Sequence, residues 1–240
     1  MKLTVVGCSP AWPNPGGAQS GYLLEGSGRL LLDCGPGVLA RLREEEAWPR
    51  IDAIAITHFH LDHWGDLVPW VWGSLYGLGH DLPRVELWLP PSGQEQLAEF
   101  GSRLGWANMF ELVFDLKEYE GGTPFHAAGF EVLALRLPHY TLETYGFRVT
   151  NGEKVVAYSG DSGPSEALSE LARDADLFVC EATLITGEAD GTPRGHLSLE
   201  EANEAFAASG ARRLLVTHRP RELPSENGYE LASDGLQIDV

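Results

Sequence analysis

Thr57-His58-Phe59-His60-Leu61-Asp62-His63 follows directly on the apolar run Ile51-Asp52-Ala53-Ile54-Ala55-Ile56. That run alternates with β-branched residues and reads as a buried strand. The histidines therefore fall where a strand ends and the chain turns. Imidazoles at i and i+2 on such a turn converge on one cation, while Asp62 and His63 point to a neighbouring position. Neutral imidazole and carboxylate are ordinary ligands for zinc and similar divalent ions. The chain has eight histidines. Packing does not explain why His58, His60 and His63 crowd one strand end.

Outward from this stretch, strands and helices alternate. Leu3 to Val6 reads as a strand, and a hairpin about Gly26-Ser27-Gly28 joins Gly21–Glu25 to Arg29–Asp33. A helix opens near Pro36 and runs to about Glu46. Trp64 to His80 is aromatic at helical spacing and reads as a core stripe, with a substrate-facing wall as the alternative. Strands are expected at 85–89, 110–119, 130–137, 177–180 and 213–217, and a helix at 91–104. Asn151-Gly152 signals a tight turn between strands at 145–150 and 154–158, followed by a helix at 164–174. Ser198-Leu199-Glu200-Glu201 is a capping box for a helix that stops at Gly210. With no long linker and no fixed-period repeat, residues 1–240 read as a single domain of two αβ halves meeting at a cleft.

Three more ligand-type residues sit at strand ends: His139 after Leu137-Pro138, Asp161 after Ser159-Gly160, and His218 after Val216-Thr217. Each alone is an ordinary turn residue. Three in the same setting point to one site.

His58-x-His60-x-Asp62-His63 matches the HxHxDH signature of the metallo-β-lactamase superfamily, and the later strand-end residues match its further motifs. The resemblance implies an α/β, four-layer αβ/βα sandwich with two mixed sheets. It also implies two divalent metal ions, zinc first, with manganese or iron accepted by the same ligands. On that pattern His58, His60 and His139 hold one ion, Asp62, His63 and His218 the other, and Asp161 bridges them. Asp33 matches an acidic residue behind the metals. Paired cations would hold hydroxide near neutral pH and neutralise charge on an attacked oxygen, with Asp62 orienting the hydroxide.

Pro138-His139-Tyr140 through Val149, Tyr158-Ser159-Gly160-Asp161-Ser162-Gly163-Pro164, Cys180-Glu181-Ala182-Thr183 and Gly195-His196-Leu197-Ser198 resemble ribonuclease Z and a group of cyclic-nucleotide phosphodiesterases. By that resemblance Glu181 orients His196, and His196 is the general acid for the leaving oxygen. Ribonuclease Z commonly carries a tRNA-clamping arm between its third-motif His and the bridging Asp. Here residues 140–160 suffice only for two strands. The expected substrate is a small phosphodiester such as a cyclic nucleotide. The alternatives are tRNA 3′-end cleavage, or a thioester or lactone in the same fold. A non-enzyme is disfavoured, because all seven ligands are present. Arg148 and Arg194 lie near His139 and His196 in sequence and are candidates to meet a phosphate, though solvation is the simpler role. His80 and His126 match nothing and are expected to be exposed.

Composition narrows the partners. A formal charge of −18 and a pI near 4.7 argue against polyanion binding, so nucleic acid is disfavoured as a substrate. Cys8, Cys34 and Cys180 form no CxxC pair and read as small buried residues. The start lacks the features of a signal peptide, and no apolar stretch approaches a membrane span. A cytoplasmic protein without membrane contact is expected. Ribonuclease Z-like relatives often dimerise, so a homodimer follows from the resemblance rather than from the sequence.

Overall fold

Leu30-Leu31-Leu32 and Ala53-Ile54-Ala55 are buried on both faces, as strands covered on either side must be. Leu30, Leu32, Ala53 and Ala55 point to one apolar core, and Leu31 and Ile54 to another. This period-two division places the sheet between two layers. The computed structural model describes residues 1–80, 82–224 and 228–240.

One sheet contains Lys2–Gly7 (β1), Gly21–Glu25 (β2), Arg29–Leu32 (β3), Ala53–Ala55 (β4), Val85–Leu89 (β5) and Phe114–Glu118 (β6). The other contains Phe125–Ala127 (β7), Phe130–His139 (β8), Leu142–Thr150 (β9), Val155–Tyr158 (β10), Leu177–Glu181 (β11), Leu214–Thr217 (β12) and Glu230–Leu231 (β13). Gln237–Asp239 (β14) returns to pair with β1, so the chain end completes the first sheet. Both sheets are mixed: β3 to β6 and β10 to β13 run parallel, while the hairpins are antiparallel.

The inner core lies between the sheets, where Leu3, Tyr22 and Leu24 meet Phe130, Phe147 and Tyr158. Outside the first sheet pack Val38–Glu45 (α1), Leu61–Trp64 (α2), Leu67–Tyr76 (α3) and Gly93–Arg103 (α4), through Leu42, Trp64, Trp70 and Leu97. Outside the second pack Glu166–Leu171 (α5) and Leu199–Ser209 (α6), through Leu168, Leu171 and Leu199. The order is helix, sheet, sheet, helix, the expected four-layer sandwich. Among the described residues no helix is long and apolar enough to cross a membrane.

Several boundaries differ from expectation. Residues 110–113 form a turn rather than the start of a strand, because Phe110 carbonyl accepts from the N–H groups of Val113 and Phe114. The β9 strand starts three residues early, at Leu142, because its partner β8 extends to His139. The loop after β9 spans four residues, with Asn151 Oδ1 accepting from the N–H groups of Glu153 and Lys154. Short edge strands β7, β13 and β14 were not legible. The capping box at Ser198 and Glu201 forms as expected. The aromatic stretch divides: Trp64 and Trp70 enter the core, whereas Trp72 and Tyr76 stack on each other at the surface.

Candidate metal centre

The last residues of β8, β10, β11 and β12, with the turn after β4, meet at one end of the two sheets. His58 leaves the turn beyond β4, and His60 precedes α2, so Asp62 and His63 stand on that helix's only turn. His139 is the final residue of β8. Asp161 follows β10, and His218 follows β12 with φ +53°, a left-handed conformation that costs a non-glycine residue energy.

All seven expected ligand residues come together in two groups. In His58, His60, His139 and Asp161, one ligand atom of each lies within 4.8 Å of the others, and the same holds for Asp62, His63, Asp161 and His218. Asp161 belongs to both. Its Oδ2 lies 3.9 Å from His58 Nε2 and 3.8 Å from His139 Nε2, while its Oδ1 lies 3.3 Å from His63 Nε2 and 3.6 Å from His218 Nε2. One carboxylate therefore faces each group with a different oxygen.

Hydrogen bonds behind the rings decide which nitrogen is available. Asp33 Oδ2 lies 2.7 Å from His63 Nδ1, and Gly195 carbonyl lies 2.6 Å from His139 Nδ1. A carboxylate and a carbonyl only accept, so both Nδ1 atoms carry the proton. Thr57 Oγ1 donates its single proton to Asp33 and so accepts from His58 Nδ1 at 3.0 Å. Thr183 Oγ1 donates to Glu181 Oε2 at 2.8 Å and accepts from His218 Nδ1 at 2.9 Å. The Nε2 lone pairs of His58, His63, His139 and His218 are thereby turned to the centre.

Those inward atoms fit metal ions. His58 Nε2, His63 Nε2 and Asp161 Oδ1 are buried with no hydrogen-bond partner, a state that costs free energy unless something else satisfies it. Burial pushes the His58, His60 and His139 imidazoles below their ordinary value, so they are neutral, as ligation requires.

Glu181 and His196 stand beside the second group. His196 Nδ1 donates to Glu181 Oε1 at 2.9 Å, and the His196 ring stacks 5.8 Å from that of His218. Glu181 is the last residue of β11, fully buried, and its Oε1 also accepts from Ser162 N–H. Burial favours the neutral His196 ring, but the Glu181 charge and its hydrogen bond outweigh burial and push the imidazolium up to about 9. Ala11, Gln19, Phe59, His60 and Leu61 border the opening with Asp62, Asp161 and His196.

Asp33 sits behind the cluster as expected. Arg148 and Arg194 do not reach it. Arg148 donates to the carbonyls of Leu171 and Arg173 at the end of α5, and Arg194 pairs with Glu201. His80 and His126 are exposed. Sequence reasoning missed Thr57, Thr183, Tyr158 and Asp190. Tyr158 hydroxyl donates to Asp33 at 2.8 Å, and Asp190 accepts from the backbone N–H groups of Gly195 and His196. For Thr183 the signal lies in strand pairing, since β11 sets Glu181 opposite Thr217 and so brings Thr183 to His218.

Comparison with known proteins identifies the family and the fold. Residues 28–219 match the family described as the beta-lactamase superfamily domain. YhfI of Bacillus subtilis, described as a probable metallo-hydrolase, is 32% identical over 221 residues, covering 92% of this chain and 87% of YhfI. The YhfI crystal structure gives a TM-score of 0.84 at 25% identity, over 99% of this chain and 98% of the other. A ribonuclease Z of Methanothermobacter thermautotrophicus is 27% identical over 270 residues, covering 91% of this chain and 86% of its own. The short form of human tRNase Z shares the fold, with a TM-score of 0.78 at 24% identity over 100% and 99% of the two chains. By its signature, its paired clusters and its family match, the chain belongs to the metallo-β-lactamase superfamily.

Proposed function

We propose that this metallo-hydrolase of the β-lactamase fold is a dinuclear phosphodiesterase acting on a small phosphodiester, such as a cyclic nucleotide. His58, His60 and His139 would hold one divalent ion and Asp62, His63 and His218 the other, with Asp161 between them. Zinc, manganese and iron all suit such nitrogen and oxygen ligands. Ions bound there supply positive charge that acidifies water and offsets charge on a phosphoryl oxygen.

The observation that carries this reading is the Glu181–His196 pair. An alkoxide leaving from phosphorus needs a proton, and His196 holds one beside the clusters on its Nε2 side. Glu181 fixes Nδ1 as the donor to itself, so Nε2 is the atom aimed at the leaving oxygen. Asp62, whose Oδ2 lies 3.2 Å from His218 Nε2 and 3.4 Å from His63 Nε2, would orient a nucleophilic water. A thiolate leaving group would need no such acid, which disfavours a thioesterase.

Cleavage of tRNA 3′ ends is the second reading, favoured by the ribonuclease Z relative. Against it stand the net charge of −18 and the interval from His139 to Asp161, which is occupied by β9, β10 and a four-residue loop. The test is a panel assayed with the metal-loaded protein: a 3′,5′-cyclic nucleotide, precursor tRNA, an acyl thioester and a lactone. The cyclic nucleotide should be turned over fastest. Preference for the thioester or lactone would overturn the proposal, and preference for tRNA would replace it with the second reading.

A further inference from the structure

Tyr140 stands at the tip of the hairpin joining β8 to β9, directly after His139. Its φ is +50°, a left-handed conformation that a bulky residue adopts at a steric cost. Glycine or asparagine would make the same turn with less strain, so the turn alone does not account for a tyrosine. The ring centroid lies 4.9 Å from that of His139, and 5.6 Å from that of His196, edge-on at 80°. Despite these neighbours the residue is 41% exposed. An aromatic side chain beside the general acid thus keeps part of its surface in solvent.

Several contacts immobilise the ring. Its backbone N–H donates to Arg194 carbonyl at 3.1 Å, and the Asp190 carboxylate is the neighbour of its hydroxyl. Gly195 lies against it so closely that a Cβ there would fall 2.4, 2.5 and 2.6 Å from three ring carbons. Asp190 Oδ2 also accepts from Gly195 N–H at 2.7 Å and His196 N–H at 3.0 Å. One carboxylate therefore neighbours the Tyr140 hydroxyl and holds the backbone of the general acid. A rigid aromatic surface offers contact area at little entropic cost. The adjoining Asp190 charge disfavours an anionic group there, and an aromatic face is matched in shape by a planar one.

We propose that Tyr140 is a specificity-determining residue whose ring stacks on the nucleobase of the nucleoside whose oxygen leaves phosphorus. That the stacked nucleoside is the one whose oxygen leaves rests on His196 being the general acid of a phosphodiesterase; the stacking itself does not.

The experiment compares equilibrium binding of AMP and ribose 5-phosphate to the metal-loaded protein by calorimetry. The two ligands share sugar and phosphate and differ by the base. Wild type should bind AMP at least about fivefold more tightly, the ratio that one base–aromatic stack supplies. Tyr140→Leu should bring that ratio close to one while leaving ribose 5-phosphate affinity and metal content unchanged, and Tyr140→Phe should keep it. No measurable AMP binding, a wild-type ratio near one, or a ratio unmoved in Tyr140→Leu would overturn the proposal. So would equal loss of both ligands in Tyr140→Leu, which would make the ring a mere support for its histidine neighbours. Because the readout is binding, an absence of phosphodiester turnover would count against the phosphodiesterase reading alone.

Discussion

Asp33 and Glu181, at the ends of β3 and β11 in opposite sheets, do the same work on opposite sides of the site. Each buried carboxylate accepts directly from one histidine Nδ1, His63 for Asp33 and His196 for Glu181. Each also accepts from a threonine hydroxyl that in turn accepts from a second histidine, Thr57 for His58 and Thr183 for His218. Two carboxylates thus set the tautomers of four rings. Partners of this kind raise ligand basicity and hold ring orientation.

Asp33→Ala should therefore weaken metal binding by about 10–100-fold, measured by competition with a chromophoric chelator. Thr57→Val, which spares the His63 contact, should weaken it less. A lower melting temperature with unchanged metal affinity would show Asp33 to be only a structural residue.

His196→Ala should divide substrates by their leaving group. For an alkyl phosphodiester, kcat should fall by about 10²–10⁴-fold, the usual contribution of a general acid. For a p-nitrophenyl ester, whose phenolate leaves without a proton, the loss should be far smaller. Equal losses on both substrates, with metal content intact, would remove His196 from the acid role.

The pH dependence carries a definite sign. The acid must be protonated, so kcat/KM for an alkyl substrate is lost as pH rises through the His196 imidazolium. Against burial, the Glu181 charge and hydrogen bond push that group up to about 9, and neighbouring divalent charge would draw it down. The alkaline limb should sit below about 9, and Glu181→Gln, which deletes the raising charge, should shift it further down. An alkaline limb unmoved by Glu181→Gln would contradict the pairing.

Gly35→Ala tests how closely the loops behind the site are packed. A Cβ at residue 35 would fall 1.9 Å from Asp62 carbonyl oxygen, so the backbone carrying Asp62 and His63 must move. The variant should fold, since the sheets are untouched, yet lose metal affinity by at least about tenfold. Circular dichroism and metal titration together check this.

Much of this was legible in the sequence because the ligands stand at ends of strands that apolar runs announce. Ile51–Ile56, the run before Asp161 and Leu214–Thr217 placed their histidines and aspartate without knowledge of how the strands pair. Asp33, one position beyond β3, was legible in the same way. Tyr140, Asp190 and Thr183 were not. The Tyr140 and Asp190 contacts depend on the β8–β9 turn after His139 and on the loop before Ser198 folding back to it, and those of Thr183 on β11 pairing with β12. The arginines misled for a related reason: nearness to His139 or His196 along the chain says nothing of direction, and Arg148 turns away to α5. The aromatic run was half legible, since helical spacing identifies a stripe but not how much of it a neighbour covers.

The central claim, a metal-dependent phosphodiester centre built on a shared aspartate, is tested most directly by turnover of bis(p-nitrophenyl) phosphate. Metal-loaded wild type should hydrolyse it, chelation should abolish the activity, Zn²⁺ or Mn²⁺ should restore it, and Asp161→Ala should have none. Two bound ions per chain with no turnover, or turnover undiminished in Asp161→Ala, would contradict the account.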